Sequence, residues 1–173
     1  MSNRRRHQHS PRPPFGRALV SGLGGFLGIA AIGLIDQWVL ADPDLAFVIG
    51  SFGATAVLVF GAPGSPLAQP WNVVVGHVLS GLIGVAVFQL AGPGWLAAAL
   101  AVAVAIVAMQ MTRSLHPPGG ATALIAVAGS PAIHDLGFVY PLFPVGVGAI
   151  VLVVVAVAFN NLATDARWPI FWY

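Results

Sequence analysis

The alternation of apolar runs and polar breaks divides the chain into six candidate membrane spans. Span 1 is predicted over about 16–40. Its glycines Gly22, Gly24, Gly25 and Gly28 form small-xxx-small pairs with Ser21, which favour close helix contact. Asp36 and Trp38 mark its far interface, and Asp42-Pro43-Asp44 reads as a turn. Span 2 covers about 45–62, with a weak point at Gly50-Ser51, so that only 51–60 reads as good helix. Span 3, about 71–90, holds His77 and the ladder Gly76, Ser80, Gly84. After Gly92-Pro93-Gly94, span 4 runs from Trp95 to near 110–112. Span 5 starts at His116-Pro117-Pro118 and stays apolar only to Ala128. Residues 129–143 are irregular, and span 6 follows over about 144–159.

Composition agrees with a bilayer as solvent. Of 173 residues, 58% are hydrophobic and 7% charged, far below the quarter or so typical of soluble domains. The expected organisation is a basic, disordered tail at 1–14, one transmembrane domain at 15–161 and a short tail at 162–173. The first apolar run is read as a retained span, since no small-x-small cleavage site follows it before Asp36. All seven basic residues are arginines, five of them before or at the start of span 1. Six crossings put all seven on one side, with Asp42, Asp44 and Asp135 on the other. The positive-inside rule then makes both termini cytoplasmic, and a bacterial inner membrane is the expected location. The arginine excess is local, so its expected partner is the lipid bilayer and no nucleic acid. No cysteine is present, which removes thiolate chemistry and cysteine metal sites.

An internal repeat refines this picture. Gly53-Ala54-Thr55-Ala56-Val57-Leu58 recurs as Gly120-Ala121-Thr122-Ala123-Leu124-Ile125, 67 residues on, and Gly64-Ser65-Pro66 recurs as Gly129-Ser130-Pro131, 65 residues on. Two three-span copies, about 16–90 and 93–160, would be inverted relative to each other, because each makes an odd number of crossings. The expected fold is therefore an all-α transmembrane bundle of about six spans in two inverted repeats, with broken or half helices at spans 2 and 5. A helix of about ten residues rises about 15 Å, half a bilayer. Two such half-helices are expected to aim their N-terminal N–H groups at one midplane point, which suits an anion.

The candidate binding residues cluster on these two short spans. His116 precedes the first turn of span 5, where Pro117 and Pro118 suit a helix start. Gly119, Gly120 and Gly53 expose backbone to a ligand or to another helix. Thr55 and Thr122 match in the two copies, although such threonines commonly bond back to their own helix. Ser51 is a weaker candidate. His77 lies inside an apolar span, where an ionisable group is costly and points to function. His116, at a helix start, is expected to be less packed than a residue at mid-span. An enzyme is not expected: Ser80 and His77 on one helix make no triad, and the spans offer too few convergent ligands for a metal. No cofactor is expected. Small-residue faces on spans 1 and 4 leave room for a homo-oligomer.

The stretch Ser114-Leu115-His116-Pro117-Pro118-Gly119-Gly120-Ala121-Thr122-Ala123-Leu124 resembles the signature of the HPP family of integral membrane proteins, and Gly53-Ala54-Thr55-Ala56 is similar to an earlier part of its pattern. The likeness covers about 15–161. It implies four spans, where the hydropathy pattern gives six. It also implies small-anion transport, since plant members are implicated in nitrite transport across the chloroplast envelope. The sequence thus leads to a transporter or channel for a small inorganic anion such as nitrite, with His116 and the half-helix N-termini at the ion. A non-transporting membrane scaffold or assembly subunit is the alternative. A polar path between spans 2, 3 and 5 would favour transport, and a dry packed centre the scaffold.

Overall fold

The structure, a computed structural model, describes residues 12–35, 37, 47–164 and 167–173. The tail at 1–11, the interface markers Asp36 and Trp38 and the turn at 42–44 lie outside the described residues. The described chain is helical and contains no strand. Its helices are α1 (Phe15–Ile35), α2 (Phe47–Ala56), α3 (Pro70–Ala91), α4 (Trp95–Met111), α5 (Pro117–Ala128), α6 (Pro131–Leu136) and α7 (Val147–Ala163). Proline opens α3, α5 and α6 within the first turn, where its missing N–H costs nothing. Gly92 (φ 69°) and Gly94 (φ 149°) turn the chain from α3 into α4 with backbone angles that side chains rarely adopt.

Among the described residues, three helical segments are long and apolar enough to cross a membrane: Phe15–Ile35, Pro70–Ala91 and Pro141–Ala163. A fourth arises if α5 and the segment Pro131–Val139, bent by 98° at Ser130, count as one broken span. The segments Gly50–Gly61 and Trp95–Met111 are apolar but shorter. Span 2 differs from expectation in one respect. The helix runs unbroken through Gly50-Ser51, and its irregularity falls later, where Val57–Gly61 widens into a π-turn.

The packing divides in two. α1 lies on α2 and α7, whereas α4 lies on α3 and α5. The broadest interface joins α3 to α5, and α2 reaches α5 across the centre. Small residues set these distances. A Cβ at Gly84 would stand 2.6 Å from the Ala126 methyl and 2.7 Å from the Ala123 carbonyl, so α3 and α5 meet backbone to backbone. Gly24 and Gly28 of α1 receive the ring of Phe60, and Ala97, Ala98, Ala101 and Ala105 of α4 are buried within the chain. Much of the small-residue surface offered to a second copy is thus used internally, while Gly22 and Gly25 remain open. Leu19, Leu23 and Phe26 of α1, Leu100 and Val107 of α4, and Ile150 and Val154 of α7 face outward, as lipid contact requires.

One end of the molecule gathers several distant segments. The Trp71 indole N–H donates to the Thr112 carbonyl (3.1 Å), and Asn72 Nδ2 donates to the carbonyls of Leu115 (3.0 Å) and Arg113 (3.4 Å). The Trp71 N–H donates to the Trp172 carbonyl (3.2 Å), and the Ile170 N–H to Gln69 Oε1 (2.9 Å). Arg17, Pro63 and Thr164 line one cavity at this end. The start of α1, the α2–α3 loop, the α4–α5 junction and the C-terminal segment therefore share an end, and Arg17, Arg113 and Arg167 lie on these segments.

Candidate functional site

The side of α3 that carries Val73, Gly76, His77, Ser80, Gly81 and Gly84 is buried. His77 stands seven residues past Pro70, about 10 Å along the helix. A Cβ at Gly76 would meet the His116 Cβ at 2.7 Å and the Ser114 carbonyl at 2.8 Å. A Cβ at Gly119 would meet Ser80 Oγ at 2.8 Å and the Gly76 carbonyl at 2.9 Å. These two glycines seat the first turn of α5 on α3 and bring both imidazoles to one place. The ring centroids of His77 and His116 are 5.0 Å apart, with planes at 64°. Phe52 closes another side of His77 at 5.2 Å.

Four side chains then form a continuous hydrogen-bonded path. Thr55 Oγ1 of α2 is 2.7 Å from His77 Nε2 and 3.0 Å from His116 Nε2. Thr122 Oγ1 of α5 is 2.7 Å from His77 Nδ1. His116 Nδ1 is 2.8 Å from the Leu67 carbonyl, which only accepts, so this nitrogen carries the hydrogen. All four side chains are wholly shielded from solvent. Longer bonds return each threonine to its own helix: Thr55 to the Ser51 carbonyl at 3.2 Å and Thr122 to the Pro118 carbonyl at 3.4 Å. The Tyr140 hydroxyl donates to the Thr122 carbonyl at 3.3 Å. Among the described residues no carboxylate or cationic side chain bonds to either imidazole, and no three His, Cys, Asp or Glu residues stand close enough to hold a metal ion.

The structure thus brings together His116, Thr55, Thr122 and His77, with Ser51 and Pro118 supplying carbonyls one turn away. Gly53 stands apart, since a Cβ there would touch nothing within 4 Å. Pro117 is exposed, and Gly120 faces Val102 at an ordinary contact distance. Gly119 serves helix contact in this arrangement. His116 occupies the N-cap position of α5, yet its ring makes no capping bond.

Two expectations are corrected. The short helices do not aim their N-termini at one point. Thr55 sits near the C-terminal end of α2, and the loop that follows meets the start of α5, so α2 and α5 run in opposite directions side by side. Nor is His116 loosely packed; it is completely buried. The Leu67 carbonyl, a backbone group, has no signature in the sequence. Gln69 and Asn72, polar residues on either side of the Pro70 helix start, are the signal in the sequence for this loop. Gln69 Nε2 closes the 63–69 loop by donating to the carbonyls of Pro63 (3.0 Å) and Ser65 (2.8 Å).

The family described as HPP, transmembrane region, matches residues 10–169. A Dictyostelium discoideum protein, named only as a transmembrane protein, is 43% identical over 157 residues, which is 88% of this chain and 50% of that protein. A second Dictyostelium discoideum transmembrane protein is 42% identical over 155 residues, 87% of this chain and 54% of its own. The chain spans about half the length of these curated relatives. No solved structure matches.

Proposed function

Because the chain belongs to the HPP transmembrane family and is a multi-pass integral membrane protein, we propose that it carries a small inorganic anion, with nitrite the first candidate, through the space between α2, α3 and α5. One observation carries this reading. Two threonines at equivalent places of the repeated Gly-Ala-Thr-Ala word lie on the two nitrogens of a single buried imidazole, His77. Polar side chains at this depth are costly, and packing alone would be served better by apolar ones. Hydroxyl and imidazole N–H donors are the groups that replace water around a small anion. In the structure these donors bond to one another.

The reading includes two inverted halves. Its support is the repeated words together with the matching pattern in which α1 packs on α2 and α7 while α4 packs on α5 and α3. The arginine-bearing end is cytoplasmic by the positive-inside rule. No catalysis and no cofactor enter this account. The scaffold reading has its own support, since Gly76, Gly84 and Gly119 are tight packing contacts. Flux separates the two. Purified protein in sealed liposomes should pass nitrite faster than protein-free vesicles, with nitrate, chloride and formate run beside it. No flux of any of the four would leave the scaffold.

A further inference from the structure

We propose that Thr122, His77, Thr55 and His116 form a proton relay, so that the anion moves together with a proton; this rests on the transport reading above. The directions of the hydrogen bonds carry the argument. The Leu67 carbonyl holds the hydrogen of His116 on Nδ1. A neutral His116 then presents a lone pair at Nε2, which takes the hydroxyl hydrogen of Thr55. That hydrogen being used, Thr55 Oγ1 accepts from His77, so His77 carries its hydrogen on Nε2. A neutral His77 accepts at Nδ1 from the hydroxyl of Thr122. With both rings neutral, each hydroxyl hydrogen has its nearer acceptor on the path, for Thr55 at 3.0 Å against 3.2 Å to Ser51 and for Thr122 at 2.7 Å against 3.4 Å to Pro118, and all four bonds point the same way, from Thr122 to the Leu67 carbonyl. This unidirectional chain is the arrangement that proton hopping needs.

The transfer balances. The relay runs when water reaches Thr122 Oγ1, which is buried here: water gives it a proton, and the original Thr122 O–H breaks as His77 Nδ1–H forms. His77 Nε2–H breaks as a Thr55 O–H forms, and the original Thr55 O–H breaks as His116 Nε2–H forms. His116 Nδ1–H then releases its proton to water at the 63–69 loop. One proton is taken up, one is given back, and each bond broken is replaced. Afterwards all the bonds are reversed, and the longer contact from Thr122 to the Pro118 carbonyl receives the hydroxyl that no longer donates to His77. His116 Nδ1 now turns a lone pair toward the Leu67 carbonyl, and two acceptors repel. The reversed chain is therefore the less stable one, and it returns to the first when water gives each ring a proton at the bare nitrogen and takes one from the other, while the two hydroxyls turn. The Leu67 carbonyl sits in the loop closed by Gln69, which the C-terminal segment holds through Ile170.

Among the described residues, the groups that face the two rings come from three elements and the loop that carries the Leu67 carbonyl. Phe52 and Thr55 come from α2, and Pro118 and Thr122 from α5. Tyr140 approaches through the Thr122 carbonyl, and Arg113 near His116 is exposed. An anion at the cluster draws a proton onto the relay by simple attraction in a low-dielectric setting, which links the two fluxes.

The test uses purified protein in liposomes holding a trapped pH-sensitive dye. A nitrite gradient is imposed without a pH gradient, and a second run uses a pH gradient without nitrite. Wild type should acidify the lumen as nitrite enters, beyond the leak of protein-free vesicles. Thr55→Val removes the hydroxyl between the rings and should slow acidification about tenfold or more, while Thr55→Ser restores it. Wild-type acidification by Thr55→Val, or nitrite uptake by wild type with no acidification beyond the leak, overturns the relay and leaves transport standing. Proton flux driven by the pH gradient without nitrite uptake keeps the relay and overturns the transport reading. Should Thr55→Val fail to fold, 15N spectra of histidine-labelled wild type decide the matter. The relay requires Nε2–H on His77 and Nδ1–H on His116, and the same tautomer at both rings overturns it.

Discussion

Thr55 and Thr122 end on opposite nitrogens of His77, and His116 joins the path through Thr55. Removing His116 therefore does more than delete one donor. His116→Ala leaves a buried void and an unpaired Leu67 carbonyl, and it leaves the Thr55 hydroxyl only the Ser51 carbonyl at 3.2 Å to donate to. A loss of about 2–4 kcal/mol in stability is expected from cavity and unmet-bond terms, read as a lower thermal midpoint in detergent. Nitrite flux should fall ten- to a hundredfold, on the order of one charge-assisted hydrogen bond worth about 1.5–3 kcal/mol. Unchanged flux in a folded His116→Ala protein would remove His116 from the path. The threonines were legible because the repeated word marks them, and His77 because an ionisable group in an apolar run stands out. Leu67 was not legible, because the group that matters is a backbone carbonyl and no side chain announces it.

Among the elements, α3 and α5 are fixed by glycine seats. Gly76→Ala would press a methyl against His116 Cβ and the Ser114 carbonyl, and the backbone carbonyl has little freedom to yield. It should destabilise the protein by about 1–3 kcal/mol. Gly53→Ala meets open space within a helix and should be neutral or stabilising by up to about 1 kcal/mol. Paired thermal midpoints check both, and equal midpoints for the two variants would contradict the seats. The ladder Gly76, Ser80, Gly84 was readable because its four-residue spacing places it on one side of a helix. The relative direction of α2 and α5 was not. Sequence gives the length of a short helix, but which end of its neighbour it meets depends on the loop, here 63–69 and its bond to His116.

At the scale of the whole molecule, hydropathy showed a helical membrane protein, and three or four of its helical segments are long enough to span, among the described residues. Apolar runs show that the second and fifth spans are short, but not that the chain turns by 98° after α5. The shared end of the α2–α3 loop, the α4–α5 junction and the C-terminal segment predicts labelling. Single cysteines at Gly64 and Ile170 should react with an impermeant reagent from the cytoplasmic side, and one at Asp135 from the other. Reaction of Gly64 and Asp135 positions from the same side would contradict the proposed crossings. The central claim, that a small anion passes through the Thr–His cluster, is tested most directly by initial nitrite influx into liposomes, wild type set beside Thr122→Val. The account predicts saturable influx well above protein-free vesicles in wild type and a loss of about tenfold in Thr122→Val. Influx equal to that of empty vesicles in wild type, or undiminished in Thr122→Val, would contradict it.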